Sequence, residues 1–501
     1  MSSVLGTFER WVDRQPDKLL FSFLDSSGKS VESHTYASFL RRVDLIASHL
    51  VERQAFQSGD RVLLVYPPGL EMIAALCACA RAHVIAVPVP PPSAYGFTAA
   101  LYRMSHIARD CDALAVLTSH DCRTLLRRNL DGKGDDTVAA DARAVMGLPW
   151  IATDEPLEPN GRLPNGDASD VFFLQYTSGS TGRPRGVIVT HENVLHNCSL
   201  VVDHEAPVTV SWLPQHHDMG LLGYYVYIAL TGGNTYGFSP TTFIQRPALW
   251  LETITKYHAT ASSAPNFAYE YCLKPGRVSD AALVGLDLSS LRFLMAAAEP
   301  VKPDTYRQFL HKFEQHGLRP ESFFVAYGLA ENTLAVTNYG RTTISVSKKR
   351  LAEGVVQTTR GVSGISGATH LMSCGKPLPG NTVRIVQPER RVALADGRVG
   401  EIWVRGDSKC RGYWNNPDLT RQSFQARIDG NAEDEIEYLR TGDMGFFHDG
   451  ELNHAPLRDL CHMGGWKSAQ TVITCYQQPD EETQRAAMAL RKPLRAAGGA
   501  S

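Results

Sequence analysis

The stretch Tyr176–Gly186, with the sequence YTSGSTGRPRG, combines three glycines, four Ser or Thr hydroxyls and two arginines. It follows the apolar run VFFLQ, which is typical of a strand, and precedes GVIVTHENVLHN, which predicts a short strand and then a helix. Glycines let backbone N–H groups approach an anion, and hydroxyls add donors, so the loop suits a polyphosphate. It lacks the Gly-Lys-Ser/Thr end of a Walker A loop. A flexible surface loop is the alternative, but the apolar flanks and the terminal Arg-Pro-Arg-Gly favour a phosphate site.

Composition and charge describe an ordinary globular chain. The sequence has 501 residues, 43% hydrophobic and 20% charged, with a formal net charge of -2. It is long enough for a sizeable core and about three domain-sized units. The balanced charge gives no support for a nucleic-acid partner or an acidic membrane surface. Ten cysteines without framework spacing favour buried thiols and a reducing, cytoplasmic compartment.

The order of apolar segments predicts an α/β fold. Helical spacing over Val4–Arg14 and Tyr36–Arg53 precedes a strand at Arg61–Tyr66, a helix at Glu71–Arg81 and a strand at Val84–Val89. A strand, a helix and a strand within about thirty residues form a βαβ unit, which implies parallel pairing. The apolar stretch around that helix is too short and too charged to span a bilayer, and the N-terminus lacks the features of a signal peptide. No transmembrane segment is therefore expected.

Later segments predict further alternation of strands and helices, followed by segments of a different pattern. Residues 208–340 again alternate strands and helices, whereas residues 341–370 are polar, rich in Ser, Thr and Gly, and look like an insertion. Short strands around 383–405 indicate a small β-rich lobe, spanning about 375–440. From residue 453 onward the pattern is irregular, and residues 486–501 form a basic, low-complexity end.

Four further motifs carry polar groups at the ends of predicted strands. They are SWLPQHHDMGLLG (Ser211–Gly223), SAPNFAYEY (Ser263–Tyr271), the pair LMAAAEPV (Leu294–Val301) and VAYGLAENTLAV (Val325–Val336), and RTGDMGFFHDG (Arg440–Gly450). The His-His-Asp run invites a metal interpretation, but no third ligand stands at helical spacing, so a substrate-positioning loop is favoured. Glu331 could hold Mg²⁺ beside a phosphate, and Asp443 could bind a ribose diol.

Each motif alone also allows an ordinary structural explanation. The aromatic run could be plain core, Glu331 could offset a helix dipole, and an isolated Thr-Gly-Asp could mark only a turn. Their order and context decide the matter together. YTSGSTGRPRG, HHDMG, AAEP, YGLAE and RTGD resemble the adenylate-forming superfamily, and most closely the fatty acyl-AMP ligases. The polar insertion stands where these ligases resemble one another and differ from acyl-CoA synthetases.

The resemblance covers about residues 1–452 and implies a fold and a chemistry. It implies one large AMP-binding N-terminal domain with two parallel-type sheets packed by helices, together with the insertion and the β-rich lobe. It also implies that a fatty carboxylate attacks the α-phosphorus of ATP, in the presence of Mg²⁺, and releases pyrophosphate. The acyl group would then pass to an acyl carrier protein or to a polyketide or lipopeptide synthase.

The resemblance also implies a role for each motif residue. Catalytic roles fall to Glu331, His217 and Arg185, and metal binding to Thr181 and Glu331. The remaining positions would bind nucleotide (Thr177, Ser178, Gly179, Ser180, Thr181, Gly182, Ala297, Ala298, Glu299, Tyr327, Gly328, Leu329, Ala330 and Asp443) or the acyl substrate (Asp218, Met219, Gly223, Pro265, Asn266 and Phe267).

The chain departs from the family pattern in two places. Arg185 replaces the usual Lys of the loop, which keeps the charge but changes its geometry. After Asp443 the hinge reads NHAPLRDL, and residues 453–501 show no recognisable C-terminal domain with its catalytic Lys. Losing one charge donor at a transition state costs on the order of 10²–10³ in rate, so we expect binding to outlast turnover. The alternatives are an acyl-CoA synthetase and a truncated, non-catalytic binder of nucleotide or acyl chain.

Overall fold

The computed structural model of the protein describes residues 3–92, 97–131, 145–157, 161, 163–164, 170–177, 184–202, 206–359, 367–429 and 436–455. The strands are β1 Leu19–Leu24, β2 Ser30–Thr35, β3 Arg61–Val65, β4 Ile85–Pro88, β5 Ala115–Thr118, β6 Trp150–Ala152, β7 Val171–Thr177, β8 Arg185–Thr190, β9 Val208–Ser211, β10 Asn234–Phe238, β11 Ala261–Ala264, β12 Phe293–Ala296, β13 Phe323–Gly328, β14 Ala335–Gly340, β15 Thr343–Ser347, β16 Ala368–Met372, β17 Lys376–Pro377, β18 Thr382–Gln387, β19 Val392–Ala393, β20 Gly400–Arg405, β21 Leu439–His448 and β22 Glu451–His454.

The α-helices are α1 Val4–Arg14, α2 Tyr36–Glu52, α3 Glu71–Arg81, α4 Phe97–Asp110, α5 His120–Asp131, α6 His191–Val201, α7 Asp218–Leu221, α8 Tyr227–Leu230, α9 Pro240–Gln245, α10 Ala248–Tyr257, α11 Asn266–Leu273, α12 Asp280–Leu283, α13 Pro303–Glu314, α14 Lys348–Ala352 and α15 Pro417–Phe424. A π-helical turn, Leu222–Val226, joins α7 to α8. Two 3₁₀ turns, Pro320–Ser322 and Ala330–Asn332, flank β13.

Two largely parallel sheets form the body of the molecule. The larger has nine strands in the order β17-β14-β13-β12-β11-β9-β10-β1-β2, and the smaller has six in the order β6-β5-β3-β4-β7-β8. Strands β1, β10, β9, β11, β12 and β13 pair in parallel, as do β6, β5, β3, β4 and β7. The α/β fold and the parallel pairing predicted from the sequence are confirmed.

Helix α3 explains the most apolar stretch of the sequence. Eight of its eleven residues are buried, including Met72, Leu76 and Cys79. They belong to a core cluster that also contains residues from both large sheets. A helix buried on nearly all sides must be apolar all round. Helices α4 and α5 cover the other face of the six-stranded sheet, over a second cluster that includes Leu101, Met104 and Leu126.

A five-stranded antiparallel sheet, in the order β19-β18-β20-β21-β22, forms the smaller β-rich lobe. Its strands run from Thr382 to His454, and Trp403 and Tyr438 are buried on one of its sides. Strands β15 and β16 pair separately, and Val346 and Leu351 there pack in one cluster with residues of the lobe. Predictions made for the hinge and tail beyond residue 455 lie outside the described residues.

The carboxyl ends of β9, β11, β12 and β13 lie along one edge of the nine-stranded sheet, because these strands run parallel as neighbours. The motifs HHDMG, APNF, AAEP and YGLAE each begin at one of these ends. In open α/β sheets, ligands bind at such an edge. Among the described residues, no helix is long and apolar enough to cross a bilayer.

Candidate active site

The opening loop rises from two paired strands. Thr177, the last residue of β7, lies opposite Arg185, the first residue of β8, and Tyr176 lies opposite Gly186. A Cβ on Gly186 would come within 2.8 Å of the Tyr176 ring, so only glycine fits there. The Tyr176 hydroxyl donates to Asp110 Oδ2 at 2.5 Å and so ties the base of the loop to α4. Ser178, Gly179, Ser180, Thr181 and Gly182 lie outside the described residues.

Glu331 sits in a strained turn after β13. Thr333 has φ 67° and ψ −61°, and the N–H of Leu334 donates to the carbonyl of Asn332 at 2.7 Å. This is a γ-turn of the rare left-handed type, and a β-branched residue is costly there. The Thr333 hydroxyl donates to the carbonyl of Ser408 at 2.7 Å, which helps to hold the turn. Strain of this kind concentrates at functional sites.

The start of that motif is equally constrained. A Cβ on Gly328 would come within 1.9 Å of the Leu334 carbonyl oxygen, so the chain can cross itself only with glycine there. Leu329 and Ala330 then lead into the turn, and the Ala330 carbonyl accepts from Cys410 Sγ at 3.3 Å. The position of the Glu331 backbone is therefore fixed by close packing on both sides.

The Glu331 carboxylate accepts from neutral donors, its own backbone N–H and the Tyr413 hydroxyl. The Tyr413 hydroxyl donates to Glu331 Oε1 at 2.9 Å. The Arg185 guanidinium lies 5.7 Å from the centre of the Tyr413 ring, which is cation–π distance. Tyr413 therefore links Glu331 to the base of the opening loop. Sequence analysis missed Tyr413, and an aromatic residue in a polar loop does not indicate its partner.

The charge balance around Glu331 is unfavourable in the described part of the chain. Burial raises the pKa of Glu331, and the charges of Asp443 and Asp218 raise it further, against hydrogen bonds from its own backbone N–H and from Tyr413. The carboxylates of Asp443 and Asp218 therefore lie near enough to act on the charge of Glu331. No group of three or more His, Cys, Asp or Glu side chains among the described residues has a metal-binding arrangement of its own. A metal ion would need oxygen ligands from a substrate.

Asp443 is held by a second tyrosine. The Tyr327 hydroxyl donates to Asp443 Oδ2 at 2.7 Å, and the other carboxylate oxygen lies 4.0 Å from His454 Nε2. Gly442, with φ 79°, and the Thr441 hydroxyl, which accepts from the Asp443 N–H at 3.0 Å, shape the turn that presents the carboxylate. Tyr327, at the end of β13, and Asp443, in β21, are thus brought together from separate sheets.

His217 and Asp218 form an ion pair at the start of α7. His217 Nδ1 lies 2.7 Å from Asp218 Oδ1, and the N–H of Met219 donates to the same oxygen at 2.6 Å. The Asp218 carboxylate raises the pKa of His217. Burial would raise the pKa of Asp218, but the charge and hydrogen bond of His217 and the Met219 N–H together lower it. The His217 side chain is 56% exposed, so the ring can present Nε2 to a ligand.

The remaining predicted residues lie along the neighbouring strand ends. The Phe267 N–H, at the start of α11, donates to Glu299 Oε1 at 2.6 Å, so Glu299 faces that helix end, beside Pro265. Ala297 is buried after β12, and Ala298 has φ 69°.

Two more predicted positions stand on either side of these strand ends. Asn266 is buried, and its Oδ1 accepts from the Lys302 N–H at 3.0 Å. Gly223 lies in the π-helical turn, and a Cβ there would meet only Leu334 Cδ2, at 3.8 Å. There is therefore room for a Cβ at Gly223. π-helical turns inside helices are frequent at functional sites.

Comparison with known proteins agrees with this geometry. The family model described as AMP-binding enzyme matches residues 8–414. This chain belongs to the AMP-binding enzyme family. Its relatives include the medium-chain-fatty-acid–acyl-carrier-protein ligase JamA of Moorena producens, 34% identical over 87% of this chain and 74% of that protein. A long-chain-fatty-acid–AMP ligase of Mycobacterium marinum is 34% identical over 90% of this chain and 77% of its own length.

A solved structure of a fatty acyl-adenylate ligase agrees with these sequence relatives. The fatty acyl-adenylate ligase of Legionella pneumophila, in complex with acyl adenylate and pyrophosphate, superposes with a TM-score of 0.78 at 34% identity. The match covers 90% of this chain and 76% of that one. Within the AMP-binding enzymes, the chain is an acid–AMP ligase of the fatty acyl-AMP ligase type.

Proposed function

We propose that the chain joins a fatty acid to ATP, forming an acyl-adenylate and pyrophosphate, and that the acyl group then passes to an acyl carrier protein or synthase. The observation that carries the proposal is that the charges of Asp218 and Asp443 act on Glu331, whose partner Tyr413 lies 5.7 Å from the Arg185 guanidinium. A carboxylate and a triphosphate repel each other, so this reaction needs fixed positive charge and oriented donors.

A Mg²⁺ ion fits the donor set at Glu331. Among the described residues, the carboxylate accepts hydrogen bonds from two neutral donors, its own backbone N–H and the Tyr413 hydroxyl. Mg²⁺ commonly takes one or two protein carboxylates and completes its ligand set with phosphate oxygens and water. The ion would neutralise phosphate charge, and Thr181, outside the described residues, would be its second protein ligand.

The protein groups would then act as follows. The fatty carboxylate oxygen forms a bond to the α-phosphorus, and the bond from that phosphorus to the bridging oxygen breaks as pyrophosphate leaves. His217, whose pKa the Asp218 carboxylate raises, would in its protonated form attract the carboxylate and the α-phosphate. Arg185 and the loop from Thr177 to Gly182 would hold the leaving pyrophosphate. Asp443 would accept the ribose hydroxyls, and Tyr327 would lie against the adenine, with Ala297 and Ala298 on its other side.

The acyl chain would lie along Gly223 and Pro265 to Phe267, with Met219 beside them. The loose packing at Gly223, where a Cβ would meet only Leu334 at 3.8 Å, supports this position. Residues 1–452 would form the AMP-binding domain, with the insertion at about 341–370. Transfer to an acyl carrier protein is supported by the name of the Moorena relative. The names of the relatives cover medium and long chains, and so do not select a chain length.

A single-turnover assay tests the proposal. Enzyme in excess over labelled ATP, with Mg²⁺ and fatty acids of several lengths, should release pyrophosphate and form an acyl-adenylate that hydroxylamine traps without CoA. The control omits the fatty acid. No fatty-acid-dependent product at any length would refute the proposal. Product that appears only as a thioester in the presence of CoA would indicate an acyl-CoA synthetase instead.

A further inference from the structure

The side chain of Gln175 joins the two large sheets beside the candidate active site. Gln175 is 5% exposed and stands two residues before Thr177, where β7 ends and the opening loop leaves the sheet. Its Nε2 donates to the His216 carbonyl at 3.0 Å. His216 follows β9, so this hydrogen bond connects the six-stranded sheet to a loop of the nine-stranded sheet.

An amide side chain stands out in this part of β7. Phe173 and Leu174, directly before it, are fully buried and pack in the two core clusters. Burying an amide is unfavourable unless it is hydrogen-bonded, whereas a leucine of similar size would be buried without that cost. A carbonyl oxygen can only accept, so the bond to His216 needs the N–H of Gln175. Gln175 Oε1 is buried and has no partner among the described residues.

The hydrogen bond from Gln175 acts on the peptide group directly before the His217 side chain. The carbonyl of this group, from His216, accepts from Gln175, and its N–H, from His217, donates to the Pro214 carbonyl at 3.2 Å. A peptide group is planar, so two bonds at its opposite ends fix its orientation. The loop is also tightly folded, because a Cβ on Gly220 would come within 2.2 Å of the Pro214 carbonyl oxygen. Gln175 therefore helps to fix the backbone that carries the His217 ring.

Gln175 is equally close to the base of the opening loop. Side chains alternate along a strand, so Tyr176 points to the other face, where it donates to Asp110, and Thr177 lies on the same face as Gln175. Under the proposed function, the opening loop holds the leaving pyrophosphate, and His217 attracts the attacking carboxylate and the α-phosphate. The attacking and leaving oxygens must lie roughly in line across the phosphorus, so the spacing of these two loops affects the reaction.

We infer that Gln175 is a positioning residue for acyl-adenylate formation, which aligns His217 with the opening loop through the His216 carbonyl. This inference rests on the proposed function. Gln175 acts through the peptide group before His217, so its loss should slow the chemical step and leave the binding of ATP alone almost unchanged. A misplacement of about 1 Å at a reacting group can cost about 10²-fold in rate.

Single-turnover kinetics of Gln175→Leu test the inference, because leucine fills a similar space but cannot donate. With the full chain in excess over labelled ATP, and with saturating fatty acid and Mg²⁺, we expect acyl-adenylate to form about 10-fold to 100-fold more slowly. The affinity for a non-hydrolysable ATP analogue, measured by calorimetry, should change less than about twofold. Loss of folded protein would instead lower the number of binding sites in that titration.

Gln15→Leu is the matched control. The Gln15 Nε2 donates to the Gly232 carbonyl at 3.0 Å, a bond of the same kind and length. Gly232 directly precedes β10, at the amino end of that strand, so it lies at the opposite edge of the sheet from the motifs. This variant should keep the wild-type rate.

A double-mutant cycle with His217→Ala shows whether Gln175 acts through that histidine. In the His217→Ala background, Gln175→Leu should change the rate less than about twofold, because the ring that it positions is absent. Equal slowing in both backgrounds would overturn the inference and leave the proposed function intact. A wild-type rate for Gln175→Leu would do the same.

Gln175→Glu is the second variant, should the leucine variant fail to fold. An ionised carboxyl group cannot donate to the His216 carbonyl, but a protonated one can, and burial raises the pKa of a carboxyl group. The rate of this variant, divided by the wild-type rate at the same pH, should therefore rise between pH 8 and pH 5.5. A ratio that does not change with pH would overturn the inference. No acyl-adenylate from the wild-type chain would refute the proposed function, and the inference with it.

Discussion

Two neighbouring carboxylates, Asp218 and Glu331, have pKa values that are shifted in opposite directions. The pKa of Asp218 is lowered, because a histidine and a backbone N–H bind its charge. The pKa of Glu331 is raised, because burial outweighs the hydrogen bonds from two neutral donors, its own backbone N–H and the Tyr413 hydroxyl. Asp218 is thus hydrogen-bonded within the protein, and its charge raises the pKa of His217. Glu331 has neutral donors instead, so under the proposed function it is the carboxylate that a bound metal ion would stabilise most.

The strongest way to test this contrast is Glu331→Gln. Glutamine keeps the shape and can still accept from Tyr413, but it removes the negative charge. If Glu331 holds the metal ion, acyl-adenylate formation should fall by about 10²–10³-fold, the usual effect of losing one electrostatic group at a transition state. Single-turnover kinetics at several Mg²⁺ concentrations would measure it.

The matched control is Glu314→Gln, at the exposed end of α13. It should leave the rate unchanged. A Glu331→Gln variant with the wild-type rate and the wild-type Mg²⁺ dependence would show that Glu331 does not hold the ion.

Asp218→Asn tests whether the Asp218 carboxylate raises the pKa of His217. The Asp218 carboxylate raises the pKa of His217, so binding of the fatty carboxylate should weaken as pH rises through that raised value. In Asp218→Asn the pKa of His217 should fall, and the affinity should be lost at a lower pH. We expect about a threefold to tenfold loss at neutral pH, the value of one charge-assisted hydrogen bond. Titration of the fatty acid itself, with a non-hydrolysable ATP analogue present, between pH 5 and 9 would measure it.

His311→Gln, on the exposed surface of α13, is the control for this titration. Its pH profile should match that of the wild type. If the profile of Asp218→Asn also matched it, His217 would not be the group that titrates.

Sequence patterns predicted the helices and strands around this site better than the side-chain contacts within it. The helix at Val4–Arg14 and the strands on either side of the opening loop follow from apolar periodicity, which depends on near neighbours. The pairing of Tyr413 with Glu331 joins residues 82 positions apart, and no local pattern contains it. The γ-turn at Thr333 could not be predicted either, because a β-branched residue is disfavoured there.

Tyr413→Phe should have a smaller effect, on the Mg²⁺ dependence of the reaction, and it tests whether Tyr413 supports the charge of Glu331. Without the hydroxyl, the Glu331 carboxylate loses the donor that favours its charged form, so the pKa of Glu331 should rise further. Mg²⁺ dependence should shift to about threefold to tenfold higher concentration, with little change in rate at saturating Mg²⁺. Tyr438→Phe, a buried tyrosine of the β-rich lobe, controls for loss of stability. An unchanged Mg²⁺ dependence would mean that the hydroxyl does not support the charge.

The smallest expected effect is on thermal stability, where Glu331→Gln and Asp218→Asn should shift the melting temperature in opposite directions. A carboxyl whose pKa is raised in the folded state loses stability as pH rises from its unfolded to its folded pKa. Glu331→Gln should therefore raise the melting temperature of the ligand-free chain at neutral pH, by about 1–3 °C. Asp218 has a lowered pKa and adds stability above its unfolded pKa, so Asp218→Asn should lower the melting temperature by about 2–4 °C.

Calorimetric scans at pH 4 and pH 7 would separate these signs, since both differences should shrink at the lower pH. Two shifts of the same sign would mean that Glu331 is already neutralised by the protein, and a carboxylate in that condition would have no need of a metal ion.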